Sequence, residues 1–165
     1  MPYHHPTPTA LPPLNLPALI APRIEMCADG VVRIYDPLRR KLVALTPEEW
    51  VRQHFTAWMT SAGMGYPAPL MANEVAITLN DTQRRCDTVL YRRRGLTPLM
   101  IVEYKAPQVA VTQRVFDQIT RYNMALQVPY LAVSNGLTHY CCHIDYATRK
   151  ATFLRTFPPY SALTD

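Results

Sequence analysis

Asp87, Glu103 and Lys105 are the residues of this sequence whose types and spacing invite chemistry. Asp87 lies in the strand-like segment Arg84 to Arg93, and Glu103 and Lys105 lie in the next, Pro98 to Ala106. Side chains alternate along a strand, so Glu103 and Lys105 share a face, and a hairpin joining the two segments brings Asp87 beside them. Two carboxylates and an ammonium then converge. Charges buried in a sheet are costly unless they pair or bind a cation, and two like-charged carboxylates are reconciled best by a metal ion. All-oxygen ligation suits Mg²⁺ or Mn²⁺. The competing interpretation of the same residues is an ion-paired cluster with no catalytic task.

The elements that must position these groups are legible in outline. Thr46-Pro47-Glu48-Glu49 sets a hydroxyl at the N-cap, proline at the first helical position and a carboxylate at the third, a capping box. Val51, Phe55, Trp58, Met59 and Ala62 then form one apolar stripe before Gly63 and Gly65 end the helix. After a loop at Tyr66 to Ala72, strands are expected at Glu74 to Leu79, Arg84 to Arg93 and Pro98 to Ala106, the last a buried central strand. Thr112 opens a second helix with a stripe of Val115, Ile119, Tyr122 and Leu126, and Gln118 stands one turn before Tyr122. YLAVSNG returns to strand, Asn135-Gly136 makes a turn, and HYCCHIDY with ATFLRTF reads as a closing hairpin. Ile24 to Leu45 holds two or three short strands, with turns at Ala28-Asp29-Gly30 and Asp36-Pro37. The order implies one mixed sheet flanked by helices, α/β or α+β in class.

With 165 residues and 48% hydrophobic composition the chain can bury one core. Residues 1 to 22 carry seven prolines and are expected to form a tail or an arm lying across a neighbour, leaving 23 to 165 as one domain. No apolar run approaches the roughly 18 to 20 residues that span a bilayer, and the N-terminal stretch lacks the basic and apolar regions of an export signal. A soluble, cytoplasmic protein is expected, with Cys27, Cys86, Cys141 and Cys142 as reduced thiols. His139, Cys141 and His143 share a strand face and offer soft zinc ligands, but the fourth ligand a structural zinc needs is not visible. The formal charge is +5, and Arg84, Arg85, Arg92, Arg93 and Arg94 supply much of it. Guanidinium groups suit phosphate, which favours a polyanionic partner such as DNA, although the same arginines also fit a solvated hairpin face.

Arg85-Cys86-Asp87 followed by LMIVEYKAP resembles the Asp and Glu-x-Lys motifs of PD-(D/E)xK nucleases. More closely, the chain is similar to the amino-terminal nuclease domain of type I restriction enzyme R subunits. Three further segments carry that likeness: TPEEWVRQHF on the first helix, QITRYN on the second, and PYLAVSNG after it. Together they run from about Arg33 to Tyr160. The resemblance implies a restriction-endonuclease-like core, with Asp87, Glu103 and the main-chain carbonyl of Tyr104 as ligands of Mg²⁺ or Mn²⁺. Lys105 would then orient or deprotonate the attacking water. Gln118 and Tyr122 match a QxxxY element beside the site. Glu49 falls where many members carry a first-helix acid that completes the metal shell, although the capping box alone also accounts for it. Glu74 could be an additional acid, with edge-strand charge as the simpler explanation.

The expectation is therefore a Mg²⁺-dependent DNA endonuclease, or the nuclease subunit of a larger restriction, defence or repair assembly. The alternative is a noncatalytic module that keeps the fold to bind nucleic acid or protein. No GxxxxGK(S/T) segment occurs in the sequence, so any motor, and any sequence specificity, is expected from partners. A homodimer would supply the two centres that cutting both strands generally takes.

Overall fold

The computed structural model describes residues 11–17, 22–79 and 81–164, with the side chains of Leu79, Thr82, Tyr122 and Ala125 outside that description. A small antiparallel sheet comes first, β1 (Ile24–Met26), β2 (Val32–Asp36) and β3 (Lys41–Ala44), in the order β1-β2-β3. Helix α1 (Pro47–Met59) follows, then β4 (Met71–Leu79), β5 (Thr82–Tyr91), β6 (Pro98–Tyr104), α2 (Gln113–Leu126), β7 (Tyr130–Ser134), β8 (His139–Asp145) and β9 (Lys150–Phe153). These six strands form one sheet in sequence order. Every neighbouring pair is antiparallel except β6 and β7, which α2 joins as a parallel crossover. The fold is mixed α/β, as expected. Among the described residues no helix is long and apolar enough to cross a membrane.

Strand alternation sorts the core into two layers. Met100, Val102 and Tyr104 of β6, Ala132 of β7 and Cys141 of β8 pack with Val51, Phe55 and Met59 of α1. Ile101, Leu131, Val133 and Cys142 point the other way and pack with Phe116 and Ile119 of α2. The adjacent cysteines do occupy opposite faces, and all four are free thiols. β7 is buried at every position, as a strand covered on both faces must be.

Boundaries shift where local chemistry overrides the apolar pattern. Helix α1 stops at Met59 because Thr60 closes it, its N–H and hydroxyl both returning to the Thr56 carbonyl, so Ala62 falls outside the helix and is exposed. On α2 the expected stripe packs on the sheet through Val115, Ile119 and Leu126, and Phe116 and Asn123 widen it as buried neighbours. β4 begins at Met71, inside the expected loop, after a single 3₁₀ turn at Ala68–Leu70.

Of the Pro-rich arm, residues 1–10 and 18–21 lie outside the description, and 11–17 pack on this chain itself. Leu14 and Leu16 cover the α1-side core and Leu11 covers the small sheet. Asn15 donates its N–H to the Gly136 carbonyl at 2.8 Å, and Trp50 donates its indole N–H to Pro12. Gly136 has φ +83°, and a Cβ there would stand 2.6 Å from the Leu14 side chain, so any other residue at the turn after β7 would be strained and would push on this strap. His139 has both ring nitrogens engaged, with Ser134 and with the Asn15 carbonyl, which leaves neither for zinc.

Phe55 is fully buried and meets Trp58, Tyr104, His139 and Phe157 edge-on or tilted. Phe55→Ala is expected to cost about 3–5 kcal/mol in urea unfolding. A loss below about 1 kcal/mol would mean that α1 is not held by this contact.

Candidate functional site

The site begins with a break in two strands. Met71 packs on the α1 side of the sheet, yet Val75 and Ile77, of the same parity, pack on the α2 side. On β5, Cys86 and Val89 are three residues apart and both lie on the α2 side. Between the pairs Asn73↔Thr88 and Val75↔Cys86, Glu74 stands opposite Asp87, and Glu74 has φ +57°. A left-handed residue in a strand costs on the order of 1 kcal/mol or more and reverses which face its neighbours present. The β5–β6 ladder also ends at Thr88↔Val102. The Tyr104 N–H, released from that ladder, instead donates to Asp87 Oδ2 at 2.8 Å. Beyond it the Lys105 N–H donates to the Ser134 carbonyl, which keeps Lys105 aligned on the end of β6.

Asp87, Glu103 and Lys105 are thereby brought together. Burial, then the charge of Asp87, push Glu103 up to about 8, while Arg84 and Lys105 pull it the other way. Arg84 donates to Glu103 Oε1 at 2.7 Å. Two hard carboxylates share this spot with the Tyr104 main chain. Among the described residues no three His, Cys, Asp or Glu side chains form a ready-made metal cluster. The donor set fits Mg²⁺, which usually takes one or two carboxylates and completes its shell with water and phosphate oxygens, and the suppressed ionisation of Glu103 is a charge problem that such a cation would relieve.

Behind Asp87 lies a network of buried ions. Arg52, whose side chain is 5% exposed, donates to Glu49 Oε2 at 2.9 Å, Glu74 Oε1 at 2.5 Å and Asp87 Oδ1 at 3.2 Å. Its guanidinium also lies 5.8 Å from the Tyr104 ring centre. Glu49 accepts from Gln53 and Arg39 as well, so Arg39 links it to fully buried Asp36. Asp36 accepts from Asn73, Asn73 accepts from the Thr88 hydroxyl, and Thr88 meets the Tyr104 hydroxyl at 3.1 Å. The circuit closes at Asp87 through the Tyr104 N–H. Burial raises the Glu49 carboxyl despite its three donors. The Glu49 N–H bonds the Thr46 hydroxyl as an N-cap should, but its carboxylate faces this network.

Of the other expected site residues, Arg84 and Arg85 adjoin the acids and Arg92, Arg93 and Arg94 do not. Gln118 is exposed on α2, and no described hydrogen bond joins it to Asp87 or Glu103; the Tyr122 side chain lies outside the described residues. Arg85 is exposed and bonds Glu74 at 2.5 Å. Arg92 is tied to Thr97 and the Pro98 carbonyl, and exposed Arg93 and Arg94 form the β5–β6 turn, at the end of the hairpin away from Asp87. The arginines thus make two groups. Arg52 and Glu74 are the participants sequence reasoning missed or set aside; the signal for Arg52 was its place one turn after Glu49 on α1.

A carboxyl raised to about 8 keeps its proton in the native protein across a range where the unfolded chain, near 4.5, has lost it. Stability then falls as pH rises through that window. In EDTA, Glu103→Gln is expected to gain stability relative to the parent between about pH 5 and pH 8, read from urea midpoints; a pH-independent difference would refute the raised carboxyl.

No curated protein and no solved structure matches the chain. A family model described as the type I restriction enzyme R protein N terminus matches residues 47–158. That span takes in α1, the whole six-stranded sheet and α2, and therefore Asp87, Glu103, Lys105 and the Arg52 network, while the small sheet with Asp36 and Arg39 lies before it. Covering well over half of the sequence, the match places this chain in the family of type I restriction enzyme R protein N-terminal domains.

Proposed function

We propose that the chain is a divalent-metal-dependent DNA endonuclease domain, the nuclease part of a restriction or defence assembly whose partners supply motor and sequence specificity. The observation that carries this is the meeting of Asp87 and Glu103, from diverging strands, with Lys105 on the same strand end as Glu103. Family membership supports a restriction-related task. Asp87, Glu103 and the Tyr104 carbonyl would hold Mg²⁺ or Mn²⁺, which supplies Lewis-acid stabilisation of a phosphodiester under attack. Lys105 orients the attacking water, takes part in moving its proton, and offsets negative charge building on the phosphate. Gln118 and Tyr122 contact substrate from α2. Glu49 acts at one remove, through Arg52, or completes the metal shell. Arg84 and Arg85 beside the acids, and Arg92, Arg93 and Arg94 at the turn, bind the DNA backbone. A homodimer or a second nuclease centre would let both strands be cut.

One observation favours a noncatalytic binding module instead: Asp87 and Glu103 each already have an arginine partner. Plasmid cleavage separates the two. With Mg²⁺ or Mn²⁺ the purified chain, or its complex, should nick DNA, EDTA should stop it, and Glu103→Ala or Lys105→Ala should slow it by about 10²–10⁴-fold with DNA affinity within a few-fold of the parent. Retained affinity with no metal-dependent cutting under any condition would leave the binding module.

A cation and a proton also compete for Glu103. The rise in melting temperature on adding Mg²⁺ should therefore be larger at about pH 8.5 than at about pH 6, and should vanish in Asp87→Asn.

A further inference from the structure

Resting on the metal-centre reading above, we propose that Arg52 is the positioning residue of that centre: its guanidinium is an internal counter-cation beside Asp87, and a divalent ion would compete with it for that carboxylate. The bonds of Arg52 are unequal in a way that suits exchange. Nη1 is committed to Glu49 at 2.9 Å, and Nη2 is shared by Glu74 at 2.5 Å and Asp87 at 3.2 Å. Asp87 thus has the longest of the three contacts and also keeps a second, independent anchor, the Tyr104 N–H on Oδ2. Losing Arg52 would not cast Asp87 adrift, and losing Asp87 would leave Arg52 with two carboxylates.

Glu74 is the retaining arm of the device. Its backbone is left-handed and its carboxylate lies between Arg52 and Arg85, one oxygen bonded to each. While Glu74 holds Nη2, Arg52 is drawn away from Asp87 and the divalent ion meets a weaker competitor. Arg52 cannot leave the site altogether, because Glu49 and the aromatic ring of Tyr104 fix it from the α1 side, so its positive charge stays near a bound cation and moderates the affinity. The role predicted for Arg52 is thus twofold: it donates to three acids and offsets part of their charge when no cation is present, and it sets how tightly one is held.

The test is Mg²⁺ and Mn²⁺ titration calorimetry on the intact chain, with melting temperature measured in EDTA. Arg52→Gln removes the competing charge and should bind Mn²⁺ more tightly, on the order of tenfold, while melting lower in EDTA than the parent. Arg52→Lys keeps the charge and should stay within about twofold of the parent affinity. Glu74→Gln, which releases Arg52 onto Asp87 and removes a negative charge, should bind more weakly by several-fold. If Arg52→Gln does not fold, Arg52→Met, which removes the same charge, takes its place. Unchanged or weaker binding in Arg52→Gln, or unchanged or tighter binding in Glu74→Gln, overturns the role of Arg52 provided the parent binds and Asp87→Asn does not. A parent that binds neither cation overturns the metal-centre reading itself.

Discussion

Acids at Asp36, Glu49, Glu74, Asp87 and Glu103 would repel one another when ionised, and the structure is arranged so that this repulsion is met by guanidinium groups from neighbouring elements. Arg39 joins the first two, Arg52 joins the middle three, and Arg84 answers the last. None of these acids could be withdrawn from water alone; removing one partner from such a buried set typically costs about 3–5 kcal/mol. Because the charges belong to α1, β2 with its following turn, β4, β5 and β6, satisfying them simultaneously fixes how the small sheet and α1 sit against the large sheet. Apolar packing supplies the driving force for α1 to lie on the sheet, but it is indifferent to small slides; the ionic circuit is not.

The fold class, the strand sequence and the central hairpin were legible because they rest on local signals: a hydroxyl cap and proline at the start of α1, a mostly apolar run along β6, and an Asn-Gly turn after β7. The convergence of Asp87 with Glu103 and Lys105 followed from alternation plus one assumption about pairing. What could not be read was the reversal at Glu74, since nothing in Asn73-Glu74-Val75 marks a non-glycine residue for the left-handed region. With regular alternation Glu74 is an ordinary charge on an edge strand. With the reversal it joins the site.

Arg52 escaped notice for a related reason. On a helical wheel it lies at the edge of the apolar stripe, beside Met59, but an arginine one turn after Glu49 looks like a surface ion pair. Only the tertiary fold brings β4 and β5 under that face of α1 and turns a one-turn helical pair into the hub of three carboxylates. The five arginines between positions 84 and 94 were misleading in the opposite sense: close in sequence, they are divided by the rest of β5, one group facing acids and the other at the turn.

The reversal at Glu74 also divides the β4–β5 hairpin into two modules with different partners. The part near Met71 and Leu90 is moulded to α1, and the part carrying Val75, Ile77 and Cys86 is moulded to α2. A one-residue insertion or deletion close to Glu74 or Asp87 would turn a whole half-hairpin inside out, presenting its apolar side to solvent. Changes of length beyond Ile77 and Arg84, toward the hairpin tip, disturb neither module. Among descendants of this sequence, length variation in the hairpin should therefore collect at its tip, and each half should drift in composition with the helix it touches, independently of the other.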